Sequence, residues 1–419
     1  MSSLIFPEFD PLTRPPAVAE GHSLGIPPEN RGVEGGARGL PGGSTELWVE
    51  GIPPLRKPKP PLISLLEAAS RDRENFPLAS CTEAQIWRAV EAGLGPLLVH
   101  ITKGDPDAQR STLGSQLKAP DLTARMISAE MIDAIEEIID VCEGYVPPLT
   151  LLKGISICDQ YYPKPHLRLM RDIDFLVEEN DVPVVNKILS KLGYFQPSHS
   201  RRDLYATHHH GAPYFHPKRH LWLEVHRGLV PPRSRLGSDK AFSLENLRSE
   251  IRPSLFAGRK VNRLSEELQI VYIACHWATS FDFISGMVAM LDVIYLLKNS
   301  KARIDWDKIL NWMDGSVASA YVYLLPSYLH QYKLINIEPE VLRELSLRGR
   351  SFGRVNLKIL YRLIDYCLVE GRARGFFFSL RNLDIVWKTC LLPGTSNCNL
   401  MMVPVFLLMP FAFRKSVLT

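Results

Sequence analysis

The stretch that decides the fold is LRLMRDIDFLVEEN, which runs from Leu167 to Asn180. Asp172 and Asp174 flank an isoleucine just ahead of an apolar run, and the two-residue repeat of a β-strand places both carboxylates on one face. Adjacent carboxylates repel each other, so their pKa values are forced apart unless a cation compensates them. We therefore predict a metal site on a buried strand, and expect that changing both aspartates to asparagine leaves the metal-free fold at least as stable.

The residues around this strand alternate between short strands and helices from about 146 to 232. The pattern predicts these elements in PLTLLKG (148–154), ISICDQYY (155–162), DIDFLV (172–177), DVPVVNKILSKLGY (181–194) and HLWLEVHRGL (220–229). In the last strand Glu224 alternates with buried apolar residues, so it supplies a third carboxylate from a neighbouring strand. Such oxygen ligands suit one or two Mg²⁺ ions in a site for in-line displacement at phosphorus.

Residues that can hold phosphate precede the aspartates in sequence. Lys153 and Gly154 occupy a strand-to-helix turn, where glycine allows backbone amides to approach an anion at a helix N-terminus. Arg168 and Arg171 immediately precede the acidic pair and can pair with phosphate oxygens. A surface ion pair between Arg171 and Asp172 is the ordinary alternative for such a sequence.

A histidine-rich segment, THHHGAPYFHPKRHLWLEVHR (207–227), follows the predicted helix 181–194. Its histidines are His208, His209, His210, His216, His220 and His226. Their spacing fits no standard zinc pattern, so we expect a solvated loop with substrate contacts, with zinc binding as an alternative. His226 shares the face of Glu224 and can orient that carboxylate or act as a catalytic base.

Two further polar residues lie in apolar helical segments beyond this region. His276, in IVYIACHWATS, is expected to be a core histidine whose polar atoms find partners. Asp292, in AMLDVIYLL, is expected to cap a helix, pair with an arginine or line an acceptor cleft. Neither residue decides the function.

The rest of the chain divides by composition into regions around the alternating core. Residues 1–60 are rich in proline and glycine and are predicted to be a flexible leader that is dispensable for folding. Residues 61–145 and 233–419 show mainly helical periodicity, and their apolar faces are expected to pack on the sheet. The core itself is assigned to 146–232.

Composition narrows the class of protein and its location. The formal net charge of +4 over 419 residues gives no strong signal for nucleic-acid binding. Seven scattered cysteines without CxxC spacing favour reduced thiols, and the first residues lack a secretory pattern, so we predict a cytoplasmic protein. The apolar segment 399–413 is short for a membrane span and contains two prolines, which favours a buried terminal segment over a transmembrane one.

Three motifs in series carry a family resemblance. LLKGISICDQYY (151–162), LRLMRDIDFLVEENDVPVVNKILSKLGY (167–194) and LWLEVHR (221–227) resemble, in order and wording, the nucleotidyltransferase-like family of the polymerase β superfamily. Weaker likeness in IWRAVEAGLGPLL (86–98), HWATS (276–280) and LDVIYLL (291–297) extends the resemblance over roughly 80 to 310. The resemblance implies an α+β fold, in which a small mixed β-sheet is flanked by N- and C-terminal helical regions.

The resemblance also implies nucleotidyl transfer from an NTP, with ATP as the expected donor, using Mg²⁺. It makes Asp172, Asp174 and Glu224 the metal-binding and catalytic carboxylates, with His226 as an added catalytic candidate. It makes Lys153 and Gly154 the phosphate-contacting turn, and Ser156, Arg168 and Arg171 are further predicted nucleotide-binding residues. The chain departs from the wider superfamily at the turn, which is Lys-Gly instead of Gly-Ser and lies far ahead of Asp172.

Three functions from different classes remain open on the sequence. The first is a Mg²⁺-dependent nucleotidyltransferase that acts on a small molecule, peptide or protein. The second is a catalytically silent module that binds a nucleotide or a partner, which the altered turn favours. The third is a histidine-assisted metal hydrolase, which the absence of a standard histidine spacing disfavours. The acceptor and the oligomeric state are not specified by any motif.

Overall fold

The structure is a computed structural model that describes residues 61–197, 205, 208–279 and 283–349. The predicted leader (1–60) and the apolar segment 399–413 lie outside these residues. In the described part of the chain, no helix combines the length and apolar character needed to cross a membrane.

The described elements follow the expected alternation in the middle of the chain. The helices are α1 (Pro61–Ser70), α2 (Glu83–Ala89), α3 (Gly95–Ile101), α4 (Pro106–Arg110), α5 (Thr112–Cys142), α6 (Lys153–Tyr161), α7 (Val182–Lys191), α8 (Leu244–Ser249), α9 (Glu266–Thr279), α10 (Phe283–Asn299), α11 (Trp306–Trp312), α12 (Ala318–Gln331) and α13 (Pro339–Gly349). The strands are β1 (Thr150–Leu151), β2 (Asp172–Leu176), β3 (Tyr214–His216), β4 (Leu221–His226), β5 (Ile251–Phe256) and β6 (Arg259–Leu264). A π-helical segment, Val90–Leu94, joins α2 to α3.

The described strands form one six-stranded mixed sheet in the order β3-β4-β2-β1-β6-β5. The central pair, β2 and β4, is parallel, whereas β3 runs antiparallel to β4 and β1 antiparallel to β2. Parallel strands need a long crossover connection, and here α7 lies between β2 and β4 in sequence. The mixed sheet with helices around it confirms the predicted α+β class.

One face of the central strands forms an apolar core with two helices. Ile173 and Phe175 of β2 and Leu223 of β4 are fully buried there. The same core includes Ile135 of α5 and Leu189 of α7. Because side chains alternate along a strand, the residues between these apolar positions all point to the opposite face of the sheet.

A second, larger core joins helices that precede and follow the central strands in sequence. Ile63 and Leu94 belong to it from the earlier helical region, and Leu291 and Leu325 belong to it from the later helices. Leu152, which precedes α6, lies in the same core. The helical regions therefore pack with the sheet region, as the length of their apolar faces predicts.

The hairpin β5–β6 lies in a region that the sequence assigned to mainly helical structure. It adds two strands to the same sheet, so the sheet extends beyond residue 232. The strands read IRPSLF and RKVNRL, which contain a proline and several charges instead of a clean apolar alternation. Ala257 and Gly258 form the turn with positive φ values of 48° and 81°, a conformation that Asn-Gly usually signals. The division of the chain into four regions stays a prediction.

Candidate active site

The parallel pairing of β2 with β4 sets the carboxylates side by side. Asp174 is the pairing partner of Glu224, and Asp172 is the partner of Trp222. Partners in a sheet point to the same face, so all four side chains lie on the face opposite the apolar core of the central strands. The register thus brings the three predicted carboxylates to one side of the sheet.

Asp174 is the buried centre of the site. The residue is 1% exposed. The Lys153 ammonium donates to Asp174 Oδ1 over 2.9 Å, and the Nε2–H of His226 donates to the same oxygen over 2.8 Å. A buried carboxylate needs such partners because desolvation of an unpaired charge is costly. Lys153, predicted as a phosphate ligand, therefore makes its closest polar contact with the acidic pair.

Glu224 lies at the open side of the same cluster. Its Oε2 is 3.5 Å from His226 Nε2 and 3.9 Å from Lys153 Nζ. The ligand atoms of Asp174, Glu224 and His226 all lie within 4.8 Å of one another. The two carboxylates are oxygen donors that a divalent cation accepts, and His226 Nε2–H holds them in place, so the residues present fit a bound metal ion. Asp172 lies one strand repeat away and can add a further oxygen.

The two aspartates differ in their electrostatic surroundings. Burial and the neighbouring charge of Asp174 raise the pKa of Asp172 to about 7. Burial acts in the same direction on Asp174, but Lys153 and His226 outweigh it and hold the pKa of that carboxyl well below its usual range. The pKa values are thus forced apart, as the sequence predicts. The pKa of Asp172 is the one that rises, because Lys153 and His226 contact Asp174.

His226 lies beside both the buried Asp174 and the partly exposed Glu224. Burial alone lowers the pKa of an imidazole, but the hydrogen bonds to Asp174 and Glu224 raise the pKa of His226 above its ordinary value. Burial raises the pKa of Glu224, but the hydrogen bond from His226 to Glu224 acts against burial, and the net shift lowers the pKa of Glu224. Among the described residues, Nδ1 of His226 is buried and has no hydrogen-bond partner. His226 is therefore placed to orient the carboxylates, one of its two predicted roles.

Lys153 holds its ammonium in the site through an unusual backbone conformation. It has a φ of +46° at the first position of α6, in the left-handed region that favours glycine. Burial lowers the pKa of a lysine, but Asp174 and the other acidic groups outweigh this and raise the pKa of Lys153. The side chain thus stays charged. A permanent cation lies where Asp174 and Glu224 face each other.

Arg168 lies in a buried ion pair. Its Nε and Nη2 donate to the two carboxylate oxygens of Asp292 over 3.1 and 2.9 Å, and the Tyr162 hydroxyl donates to the same carboxylate over 2.7 Å. A Cβ atom on Gly154 would overlap Nη1 of Arg168, so the guanidinium can pass here only because residue 154 is glycine. Of the roles considered for Asp292, the structure shows pairing with an arginine. Arg168 thus ties α10 to the loop before β2.

The remaining predicted phosphate ligands are positioned differently. Ser156 is buried in α6, and its carbonyl accepts a hydrogen bond from Arg263. Arg171 is exposed at the residue just before β2. The structure therefore brings Lys153, but not the Ser156 hydroxyl, into contact with the carboxylates. Nucleotide binding by these residues stays a prediction.

Three consecutive histidines lie beside the end of β4. The ring centroids of His208, His209 and His210 are 4.2 to 4.7 Å apart. Nε2 of His210 is 3.9 Å from Glu224 Oε2, and burial lowers the pKa of His210 to about 4. The ligand atoms of the three imidazoles lie within 4.8 Å of one another, so they form a second possible metal-binding group. Part of the predicted solvated loop is thus packed against the acidic site.

Helix α9 carries two residues that lie near the charges of the site. Tyr272 and His276 are four residues apart, so they share a helix face. The charges of Lys153 and Asp174 act on both groups, and burial followed by the charge of Lys153 lowers the pKa of His276 to about 3. In the described structure the buried Tyr272 hydroxyl has no hydrogen-bond partner. The four-residue spacing is the signal that would have identified Tyr272 next to His276.

The chain is similar to one known protein family. A family model described as "Uncharacterised nucleotidyltransferase" matches residues 82–332, which is more than half of the 419 residues. No curated protein and no solved structure gives a significant match. The matched range includes all of the sheet and the helices that carry the site.

Proposed function

Because this chain belongs to the uncharacterised nucleotidyltransferase family, we propose that it transfers a nucleoside monophosphate from an NTP to an acceptor. The observation that carries the proposal is the register of β2 and β4, which places Asp172, Asp174 and Glu224 on one face. We propose ATP as the donor to be tried first, and a small molecule, peptide or protein as the acceptor. In this reaction an acceptor hydroxyl attacks the α-phosphorus and pyrophosphate leaves.

The carboxylates would hold one or two Mg²⁺ ions, which neutralise charge on the triphosphate when bound. Asp174 and Glu224 would supply the central ligands, and Asp172 would supply a further oxygen. His226 fixes the orientation of Asp174 and Glu224 through its hydrogen bonds. Glu224 is partly exposed, and we assign it the proton of the acceptor hydroxyl. Lys153 contributes a fixed positive charge next to the triphosphate.

A second candidate function is a catalytically silent module. The observation that favours it is the Lys153 ammonium, which lies 2.9 Å from Asp174 and 3.9 Å from Glu224. A lysine in that position partly neutralises the carboxylates without any metal ion. The two candidates therefore differ in whether Mg²⁺ binds beside Lys153.

We also retain the cytoplasm as the proposed location. In the described part of the chain Cys81, Cys142, Cys158 and Cys275 are free thiols. Free buried cysteines are typical of proteins from reducing compartments.

The test is incubation of the purified protein with each α-labelled NTP, Mg²⁺ and host extract, followed by a search for labelled products. Glu224→Gln and Asp172→Asn serve as site variants, because both residues are partly exposed and the substitutions preserve shape. The transferase proposal expects a labelled acceptor with the wild type and, as an order of magnitude, at least about a hundredfold less with either variant. NTP binding that does not depend on Mg²⁺, without any labelled product, would favour the silent module. Equal labelling by all three proteins would refute the assignment.

A further inference from the structure

A row of aromatic side chains adjoins the carboxylates on the same face of the sheet. Phe215 of the edge strand β3 pairs with Trp222 of β4, and Trp222 pairs with Asp172 of β2. Phe195 pairs with Phe215 from the outer side through an isolated bridge. Because paired residues share a face, Phe195, Phe215, Trp222 and Asp172 follow one another across the sheet.

The rings of this row contact each other and remain open to solvent. The centroids of Phe215 and Trp222 are 4.9 Å apart, and those of Phe195 and Phe215 are 6.0 Å apart. Phe195 is 47% exposed and Trp222 is 40% exposed. Large aromatic side chains are normally well buried, and a contiguous exposed group of them marks a binding surface more often than an isolated exposed ring does.

We propose that this aromatic row is the stacking surface for the base of the donor nucleotide, an inference that rests on the proposed function. The row ends at Asp172 and lies one strand repeat, roughly 6.6 Å, from the paired Asp174 and Glu224. A ligand that fits both parts has a planar aromatic group at one end and a metal-binding polyanion at the other. A nucleoside triphosphate has this form, since only the ribose separates its base from the α-phosphate.

The chemistry of the row also determines what it can distinguish. Flat rings stack on any base, and His220 is the one polar ring in contact with Phe215 within the described row, at a centroid distance of 6.2 Å. Stacking alone is tolerant of base identity, because every base offers a π-face. The row is therefore expected to favour ligands that carry a base over ligands that lack one. It favours purines over pyrimidines only through their larger stacking area, because it offers no hydrogen bonds that identify a base.

The test compares binding of Mg-ATP with binding of Mg-tripolyphosphate, which lacks a base, by isothermal titration calorimetry on the full chain. Trp222→Ala and Phe195→Ala are expected to weaken Mg-ATP binding roughly tenfold to a hundredfold, as loss of one stacked base contact does. Neither should change tripolyphosphate binding by more than about twofold, since the triphosphate binds at the carboxylates. Trp222→Phe should retain most of the affinity, because it keeps a ring in place.

Tyr145→Ala is the matched control, since Tyr145 is 72% exposed and lies in the loop between α5 and β1. It should leave both affinities unchanged, and thermal melts of each variant check the fold. Equal Mg-ATP affinity in the wild type and Trp222→Ala would overturn the stacking proposal alone. Variants that keep ATP affinity but lose transfer would assign the row to the acceptor and equally overturn it. Failure of the wild type to bind either ligand would remove the proposed function and this inference together.

Discussion

Replacing Asp174 by asparagine is expected to destabilise the metal-free protein. Asp174 is 1% exposed and accepts hydrogen bonds from Lys153 and His226 over 2.9 and 2.8 Å. Asparagine keeps the size but removes the negative charge, so among the described residues Glu224, at 3.9 Å, is the carboxylate that remains within salt-bridge distance of the Lys153 ammonium. This expectation for Asp174 alone differs from the one drawn from sequence for the double substitution of Asp172 and Asp174, because the structure places Lys153 and His226 against Asp174.

The size of the effect follows from the burial of the pair. Removal of one partner from a buried ion pair destabilises a protein by about 3–5 kcal/mol. Here the Lys153 side chain is 19% exposed and asparagine can still accept a hydrogen bond, so about 2–3 kcal/mol is expected. For a folded unit of this size, about 2–4 °C of melting temperature corresponds to each kcal/mol, giving a decrease of about 4–12 °C.

The assay is thermal and urea denaturation in the presence of EDTA. Asp133→Asn is the matched control, because Asp133 is an exposed carboxylate on α5, and its melting temperature should change by less than about 2 °C. The double variant Lys153→Met with Asp174→Asn should recover part of the loss, since it leaves no unpaired ammonium.

The reasoning would be refuted if Asp174→Asn were as stable as the wild type in EDTA. An effect identical in the Lys153→Met background would also refute it, because it would show that the two side chains are not coupled. Neither result depends on transferase activity.

Three further predictions concern the neighbouring residues. The pKa of Asp172 is raised to about 7, so between about pH 4 and 7 the native state binds more protons than the unfolded state, and the wild type loses stability as pH rises. Asp172→Asn should remove this loss, which urea denaturation in EDTA would measure. The prediction would be contradicted if the stability difference between the two proteins were the same at about pH 5 and about pH 8. Arg168→Met should lower the melting temperature by about 6 °C or more, because it leaves Asp292 buried without its cation. If Arg168 served only to bind phosphate, the same variant would change nucleotide affinity and leave the melting temperature unchanged. Gly154→Ala should lower the free energy of unfolding by about 1–3 kcal/mol, since the added Cβ would overlap the Arg168 guanidinium. A crystal structure of the variant in which the Arg168–Asp292 ion pair had not moved would disprove this overlap.

The sequence by itself determined the family, the fold class and which side chains share a face of the strands that carry the carboxylates. The period-two repeat alone puts Asp172 and Asp174 on one face and Glu224 on the face shared with His226. These conclusions are local, because alternation along a strand needs no knowledge of distant residues. The family match over 82–332 agrees with the resemblance carried by the motifs in series.

The tertiary structure decided which charges meet. Lys153 and Arg168 look alike in sequence as phosphate ligands, yet Lys153 pairs with Asp174 and Arg168 pairs with Asp292 on α10. Asp292 lies 124 residues from Arg168, so no local pattern could predict the pair.

The aromatic row and the hairpin β5–β6 also depended on tertiary pairing. The exposure of Trp222 follows from its place near the edge strand β3, and strand order is fixed by which strands pair, not by the composition of any one strand. The sequence therefore specified which side chains share a face of each strand. The three-dimensional packing specified which strands are neighbours, and with them the partners, burial and pKa values of the site.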